Sequence, residues 1–469
     1  MLNKDSKVFI FTFLLTVGIL ALGLWQLMPN FSGRNSNNSK NQPTNNDQSV
    51  TERMSFGERI FSPSDSSTNK KEGSQAIAQE NYPQAIADFS KSLKINPNDP
   101  ESLIYLNNAK IGTQKNYTIF VSVPFGINPK SALEILRGVA QAQNEINNNG
   151  KIKGIPLKVG IAKDEDNPET AQKIAAALVE NPDVLGVVCC TSSHVTLAAG
   201  EIYDSGKLVT ISPTSTSVKI TDFSPYVFRS VPSDSIAART LANYMIKNLK
   251  KQKAAVFFNS ESSYSQSLKK EFVTSVLLEG GEVSQEFDLS KADFSAAQSI
   301  KKSTDDGVEV LMLAPNTLTL DKALQVVQVN QKQMELLAGD TTYTIKTLEV
   351  GREQALEMVV AIPWHINSNK NSLLSDFPAT SRRLWGADVN WRTALAYDAT
   401  KALIKAIETD PTREGIQKTL PSSDFAPKGA NGEIRFQSSG DRNSPVQLVK
   451  VVPGSRSRTG YDFEPIDNN

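Results

Sequence analysis

The sequence predicts an α/β fold in which two parallel β-sheets are each covered by helices. Two observations lead to this class. From Tyr117 onward, apolar runs of strand length alternate with stretches of helical periodicity, an order typical of parallel sheets with right-handed crossovers. After Asp234 the same alternation starts again, which indicates a second unit of the same kind. The length of 469 residues is sufficient for two or three domains.

The chain begins with a segment that predicts a membrane anchor. Lys4 and Lys7 precede an uncharged apolar run from Val8 to Met28, which is long enough to cross a bilayer as a helix. Because small residues suited to cleavage are missing at its end, residues 1–28 are predicted to be an uncleaved anchor, with a cleaved signal peptide as the alternative. The lysines place the N-terminus in the cytoplasm. The single-pass chain would then continue outside the inner membrane, in the periplasm of a Gram-negative cell.

Residues 29–71 are predicted to be a disordered tether. They are rich in Asn, Ser, Gln and Thr, and such a composition buries too little apolar area to fold. An apolar island from Phe56 to Phe61 interrupts the polar run. Docking is the only role that the sequence suggests for this island.

Residues 72–112 resemble a tetratricopeptide repeat, a helical unit with small, aromatic and proline residues at fixed positions. The matching residues are Gly73, Tyr82, Ala85, Phe89, Leu93 and Pro97. Only about one and a half repeats are present, and a single repeat needs a neighbour to cover its apolar face. The segment is therefore expected to pack on the main domain, pair with another copy or bind a partner protein. A plain spacer is the alternative.

The stretch from Val184 to Thr216 predicts a binding site. Two apolar strands, 184–190 and 208–211, each end in a cluster of Ser and Thr residues. One cluster also starts a helix, whose first N–H groups lack partners. The carboxyl ends of parallel strands meet at one edge of the sheet, where ligands bind. Free N–H groups and hydroxyls suit a small anion such as a carboxylate, although capping of the helix and turn is the alternative role.

This stretch resembles the type I periplasmic binding proteins, the Leu/Ile/Val-binding family of ABC transporter substrate-binding proteins. The resemblance is carried by the serine run at 191–193, the Glu-Ile-Tyr at 201–203 and the I-S-P-x-x-T motif at 211–216. An A-Y-D-A helix within 391–407 and a G-x-x-G-x-I-x-F motif at 429–436 agree with it. The resemblance covers roughly Tyr117 to Gly454.

The resemblance implies a two-lobed fold of two doubly wound parallel-sheet lobes with three hinge crossings, in a domain spanning residues 116–454. Lobe 1 would comprise about 116–232 and 364–425. Lobe 2 would comprise about 233–363 and 426–454. Residues 455–469 would form a flexible tail.

The resemblance also implies the ligand-binding residues. Ser193 falls on the family's carboxylate-binding serine, and Ser215 and Thr216 fall on contacts from the neighbouring strand end. Asp340 falls where relatives place an acidic residue in the second lobe, and it would bind an ammonium group by charge-assisted hydrogen bonds. A helix N-cap is the alternative role for Asp340. Tyr264 aligns with a tyrosine that lines the cleft, and a surface aromatic is its alternative.

One part of the implied pocket departs from the family pattern. Asn316 and Thr317 stand where branched-chain binders place an aromatic residue. A polar residue there changes the size and polarity of the pocket. Asn316 is therefore a predicted site residue, and an amino acid other than Leu, Ile or Val, or a small amide, is an alternative ligand.

Other classes of function are excluded by what the sequence lacks. The 50 basic and 50 acidic residues balance, so no nucleic-acid partner is expected. His194 and His365 lie far apart without other ligands at suitable spacing, so no metal or cofactor is expected, although His194 follows Ser193 closely enough to contact a ligand. No nucleophile–histidine–acid set or phosphate loop indicates an enzyme.

The adjacent Cys189 and Cys190 are predicted to be buried and free, because a disulfide between neighbours is strained. In some relatives a cysteine near the position of Asp166 would be the disulfide partner, and this chain has none there.

These observations predict a membrane-anchored extracytoplasmic protein that binds an amino acid or similar zwitterion in an interlobe cleft. It would serve ABC-type amino acid import through a permease, or nutrient sensing, by closure of the lobes around the ligand. The alternative is an interaction or scaffold protein that binds a protein partner through the helical repeat and retains a vestigial cleft.

Overall fold

The computed structural model describes residues 49–62, 67–368 and 375–466. In these ranges, helices that combine the length and the apolar character needed to cross a bilayer are absent. The predicted anchor at 1–28 and the first part of the predicted tether lie outside the described residues. The described chain forms two large, mostly parallel sheets and a small hairpin, which confirms the predicted α/β class.

The elements alternate along the chain as the sequence predicts. The strands are β1 (Met54–Ser55), β2 (Tyr117–Val123), β3 (Leu157–Lys163), β4 (Val184–Cys189), β5 (Thr210–Ser212), β6 (Val227–Arg229), β7 (Lys253–Phe258), β8 (Glu282–Asp288), β9 (Val310–Ala314), β10 (Glu335–Ala338), β11 (Val359–Ile362), β12 (Lys428–Gly429), β13 (Gly432–Glu433), β14 (Gln447–Pro453) and β15 (Tyr461–Pro465). The helices are α1 (Thr68–Ala78), α2 (Tyr82–Ile95), α3 (Pro100–Ile111), α4 (Pro129–Asn148), α5 (Pro168–Glu180), α6 (Ser193–Ser205), α7 (Asp234–Asn243), α8 (Ser263–Leu278), α9 (Ala296–Asp305), α10 (Leu320–Asn330), α11 (Ile345–Gly351), α12 (Phe377–Trp385), α13 (Trp391–Thr409) and α14 (Arg413–Thr419).

Lobe 1 is built on a six-stranded sheet in the order β1-β3-β2-β4-β5-β6, with all strands except β1 parallel to their neighbours. Side chains alternate across the sheet because successive residues of a strand point to opposite faces. In β2, Ile119 and Val121 pack with α4 and α13, whereas Phe120 packs with α5 and α6. Lobe 1 is therefore covered by helices on both faces.

Lobe 2 is built on a seven-stranded sheet in the order β15-β14-β11-β10-β9-β7-β8. Strands β7 to β11 are parallel, and β14 and β15 are antiparallel additions at one edge. Helices α7 and α8 cover one face, and α9 and α10 cover the other. Every residue of the apolar run Val310–Ala314 is buried, as expected for a central strand that is covered on both faces.

The chain crosses between the two lobes three times, after β6, after β11 and before β14. The third crossing lies later than the predicted boundary at residue 426. The hairpin of β12 and β13 belongs to lobe 1, because the Ala430 N–H donates to the Asp398 carboxylate of α13 at 2.5 Å. Arg442 meets the same buried carboxylate at 2.5 Å. Lobe 2 resumes only near Gln447.

Residues 49–62 are an ordered part of lobe 1, so the predicted tether does not extend over them. β1 pairs antiparallel with β3, with Met54 opposite Ala162. The Phe56 ring packs edge-on against Phe120, with ring centroids 5.1 Å apart. The Phe61 ring packs against Phe125, with ring centroids 6.3 Å apart. The apolar island therefore docks on lobe 1, and these two aromatic contacts offset the polar composition around them.

The helices α1 to α3 pack in sequence on one another and then on α4 of lobe 1. Of the arrangements that the sequence left open, packing on the main domain is the one observed. Asn108 of α3 joins the two parts, because its side-chain amide donates to the carbonyls of Val159 at 2.7 Å and Phe56 at 2.9 Å. Its carbonyl oxygen accepts from Gln143 at 2.9 Å.

A buried ion cluster fixes the helical segment internally. The Lys70 ammonium of α1 lies 2.7 Å from Asp99 and 2.8 Å from Glu101, and all three side chains are buried. Glu101 also accepts hydrogen bonds from the Phe61 N–H at 2.6 Å and the Ser62 hydroxyl at 2.6 Å. The helical segment therefore begins at Thr68, before the predicted boundary at residue 72. Hydrogen bonds from Phe61 and Ser62 to Glu101 join it to the residues that follow β1.

The predicted flexible tail contains a strand instead. β15 pairs with β14 over five residue pairs, with Val451 opposite Phe463. Phe463 is 5% exposed, so the strand closes one edge of the lobe 2 core. The alternation of Tyr461, Asp462, Phe463 and Glu464 is the period-two pattern of a half-buried strand.

Cys189 and Cys190 form a disulfide, so the prediction of free thiols is corrected. In a continuous strand, adjacent side chains would point to opposite faces. β4 ends at Cys189, and Cys190 has a φ of +94°. This departure from extended backbone brings the two sulfur atoms to the same side of the chain.

Candidate functional site

A cavity of about 160 Å³ lies between the lobes at the carboxyl ends of the strands. One ordered water needs roughly 10–15 Å³, so the cavity suits a ligand of about ten non-hydrogen atoms. Four predicted site residues line it, namely Ser193 from lobe 1 and Tyr264, Asn316 and Asp340 from lobe 2. These four residues follow four different strands of the two lobes. Their presence in one cavity agrees with the expectation that ligands bind at the carboxyl ends of parallel strands.

The lobe 1 side of the cavity is the N-terminus of α6. Ser192 is the N-cap residue, yet its hydroxyl donates to Asp166 at 2.5 Å instead of capping the helix. Within the described residues, the N–H groups of Ser193 and His194 have no acceptor, and both residues line the cavity. An uncapped helix N-terminus with adjacent hydroxyls is a favourable site for a carboxylate.

Ser215 and Thr216 lie beneath this surface and do not line the cavity. The Ser215 hydroxyl shares a hydrogen bond with Thr196 of α6 at 2.6 Å, and the Thr216 carbonyl accepts from the Asp234 N–H at 2.8 Å. Thr214 lines the cavity instead. The two predicted residues therefore hold the end of β5 against α6 and the first crossing.

Asp340 lies in the turn that follows β10, on the lobe 2 side of the cavity. Burial raises its pKa to about 6, although the charge of Arg392 and hydrogen bonding to Tyr264 and Thr341 lower it. The carboxylate is therefore ionised at neutral pH, and its neighbours offset only part of the cost of burying its charge. The helix N-cap role considered for Asp340 is filled by Thr344, whose hydroxyl accepts from the Thr347 N–H at 3.2 Å.

Tyr264 and Asn316 border the site in different ways. The Tyr264 hydroxyl is buried beside Asp340, and burial raises its pKa well above the ordinary value, so it remains a neutral donor. The Asn316 carbonyl oxygen accepts from the Thr319 N–H at 3.1 Å and from the Asn259 amide at 2.9 Å. Asn316 thus forms part of the wall while it caps the turn after β9.

Sequence reasoning missed several lining residues, above all Arg392 and Asp166. Arg392 is the second residue of α13, and its guanidinium lies 4.2 Å from the centre of the Trp391 ring. The available signal was its place at the start of the A-Y-D-A helix, which the family resemblance identifies. Burial raises the pKa of Asp166, and hydrogen bonding to Ser192 lowers it.

Among the described residues, one group has ligand atoms close enough together for a metal ion, formed by Asp164, Cys189 and Cys190. Both sulfur atoms are committed to the disulfide, and a metal ligand would need to be a thiolate. Asp164 accepts from the Ser122 hydroxyl at 2.7 Å. These residues therefore do not suit a metal.

The model of the family described as periplasmic binding proteins matches residues 126–456, more than half of the chain. The chain belongs to the periplasmic binding protein family. This family consists of binding proteins, which confirms the prediction that the chain is not an enzyme.

Curated relatives of this periplasmic binding protein match it over shorter segments. An amino acid binding protein of Pseudomonas aeruginosa is 31% identical over 144 residues, which cover 30% of this chain and 38% of that protein. A leucine-specific-binding protein of Salmonella typhimurium is 31% identical over 128 residues, which cover 26% of this chain and 34% of that protein. The matches therefore span less than half the length of these relatives.

Solved structures show the same fold over a larger part of this periplasmic binding protein. An ABC transporter substrate-binding protein from Desulfitobacterium hafniense, in complex with Leu, has a TM-score of 0.64 at 23% identity and covers 75% of this chain and 100% of its own. A solute binding protein from Rhodopseudomonas palustris, in complex with 3,4-dihydroxybenzoic acid, has a TM-score of 0.63 at 14% identity and covers 75% and 96%. The fold is thus established, and ligands of different chemistry occupy proteins that have it.

Proposed function

We propose that this periplasmic binding protein binds an α-amino acid between its lobes and acts outside the cytoplasm in ABC-type import or nutrient sensing. The amino-acid-binding and leucine-binding names of the relatives support this proposal. The lobes would close on the ligand by bending at the three crossings, as is common for two-domain binding proteins.

One observation carries the proposal. The uncapped N-terminus of α6 and the Asp340 carboxylate line one cavity from opposite lobes. A helix N-terminus stabilises an anion, and a partly desolvated carboxylate stabilises a cation. An α-amino acid carries both charges on one carbon, so it would connect the two groups and favour the closed arrangement.

A thermal-shift screen of the amino acids tests this proposal. A ligand at about 100 times its Kd stabilises the folded protein by about 2.7 kcal/mol, which raises Tm by several degrees. Asp340→Asn should weaken binding of the responding ligand about 30-fold or more, because the ammonium would lose its counter-charge. Asp305→Asn is the matched control, since Asp305 is exposed on α9 and, among the described residues, forms an ion pair with Lys301. If no amino acid shifts Tm, the proposal fails.

The predicted anchor and tether place the binding domain at the outer face of the inner membrane in this proposal. Ligand would then pass to an ABC permease, or ligand-dependent closure would signal to a membrane partner. Membrane fractionation and protease protection of the full chain would test the location. Recovery of the intact chain in the soluble fraction would contradict an uncleaved anchor.

We also infer that the helical segment is a single repeat-like unit that extends lobe 1. Gly73 of α1 packs against the Phe89 ring of α2, where an added Cβ would approach the ring to 3.0 Å. Such close contact between small and aromatic residues supports the likeness to a tetratricopeptide repeat. A scaffold role for this unit becomes the better explanation if the cleft binds no amino acid.

A further inference from the structure

Arg392 occupies a distinctive place in the cleft. It lines the cavity described above and also a second cavity of about 350 Å³ that continues from it between α4 and the residues after β10. Lys130, Arg137 and Lys346 also line this second cavity, together with Glu134, the single acidic residue among the described residues of its lining. The guanidinium therefore lies where the proposed amino acid site meets the second cavity, whose lining contains more basic than acidic residues.

Burial lowers the pKa of Arg392, and the nearby charges of Asp340 and Glu134 raise it, so these carboxylates compensate the guanidinium only in part. Within the described residues it forms neither an ion pair nor a hydrogen bond, and its close contact is the Trp391 ring. In the described part of the chain, the fully buried Arg229 and Arg442 differ in this respect, because Arg229 meets Asp441 at 2.7 Å and Arg442 meets Asp398 at 2.5 Å. A guanidinium that is held in a cleft without a direct ion pair carries a desolvation cost that an anionic ligand group would reduce.

The charges around the cavity leave one positive group for the ligand to neutralise. The N-terminus of α6 suits one carboxylate, and Asp340 suits the ammonium. Asp166 accepts a hydrogen bond from the Ser192 hydroxyl at 2.5 Å, and burial raises its pKa and so disfavours its charged form. Arg392 is then the additional charge, and a guanidinium is well suited to bind a second carboxylate with paired hydrogen bonds. The polar Asn316 on the opposite wall is compatible with a polar ligand side chain.

We propose that the ligand is an α-amino acid with an acidic side chain, such as glutamate, whose second carboxylate is bound by Arg392. This inference rests on the proposed function and specifies its substrate class. Two groups suited to anions and one suited to a cation match a ligand with two carboxylates and one ammonium, whichever carboxylate each anion-binding group receives.

Calorimetric titration with L-glutamate, L-glutamine and L-leucine tests the inference. Glutamate and glutamine have nearly the same shape and differ in charge, so glutamate should bind the wild-type chain at least about 30-fold more tightly. Arg392→Met should remove this preference, and Arg392→Lys should retain part of it because the charge remains. Arg383→Met is the matched control, since Arg383 is an exposed arginine of lobe 1.

The outcomes separate the two proposals. Tighter binding of glutamine or leucine than of glutamate would overturn the acidic-ligand inference and leave the amino acid function intact. Absence of binding by all three, together with a negative amino acid screen, would overturn the function itself. The comparison of glutamate with glutamine on the wild-type chain decides the inference even if the Arg392 variants fail to fold.

Discussion

Ligand affinity should fall as the pH is lowered from 7 to 5, because Asp340 must be ionised to bind an ammonium group. Burial raises the pKa of Asp340 to about 6. The ionised fraction is then about 0.9 at pH 7 and about 0.1 at pH 5. Since a neutral acid offers the ammonium no counter-charge, Kd should rise about tenfold across this range. The α-carboxyl and α-amino groups of the ligand keep their charges throughout.

The measurement is isothermal titration calorimetry at pH 5, 6 and 7 in pairs of buffers with different ionisation enthalpies. Below pH 6, binding should release a proton from Asp340, close to 0.9 per ligand at pH 5. Asp340→Asn should bind weakly at every pH and release no proton. An unchanged Kd between pH 5 and pH 7 in the wild-type chain would refute the reasoning.

Neighbouring titratable groups must be separated from this effect. His194 lines the same cavity, and His194→Gln should retain the pH dependence attributed to Asp340. Asp234 lies beside the site, and burial raises its pKa to about 7, with the charge of Asp340 acting in the same direction. Asp234→Asn should therefore lower the pH at which affinity begins to fall. If Asp340→Asn keeps the full pH dependence, the assignment to Asp340 is wrong.

Three stability predictions follow from contacts outside the cleft. Asn108→Ala should lower the free energy of unfolding by about 3 kcal/mol, because the carbonyls of Val159 and Phe56 lose their hydrogen-bond donor. Asn148→Ala, at an exposed site on α4, should have little effect in the same urea titration. Lys70→Met should lower the free energy of unfolding by about 3–5 kcal/mol, because two buried carboxylates lose their cation. The neighbouring Lys71 is exposed, so Lys71→Met should leave Tm unchanged. Truncation after Gly454 should lower Tm by several degrees through loss of β15, and an unchanged Tm would show that this strand contributes no stability.

Local chemistry explains why the order of elements could be predicted from the sequence. Asn128 and Asn167 cap α4 and α5 and are each followed by a proline in the first turn, and both signals mark helix starts without tertiary information. Ser193 was also predictable, because it follows a strand of a parallel sheet and such strand ends converge, whereas Asp340 was assigned through the family resemblance. Their presence in one cavity agrees with that rule.

Long-range arrangement explains what could not be predicted. Arg392 lies in the cleft because the second crossing, after β11, returns the chain to lobe 1, where α12 precedes α13. The sequence around residue 392 does not encode that return. Ser215 and Thr216 lie beneath Thr214 because the chain turns after β5, and periodicity does not give the direction of a turn. Residues 49–62 are ordered because Phe56 packs against Phe120 and the Phe61 N–H donates to Glu101. The average composition of the segment does not indicate these contacts.

The short and acidic outer strands of both sheets have a consequence for behaviour in crowded compartments. β1 has two residues and β6 has three, while β8 carries Glu282, Glu286 and Asp288, and β15 carries two acidic residues and ends in a proline. Exposed backbone on a long, uncharged outer strand is a template for intermolecular pairing and fibril growth. Because both ends of each described sheet are short or negatively charged, we expect the folded chain to resist aggregation at high concentration.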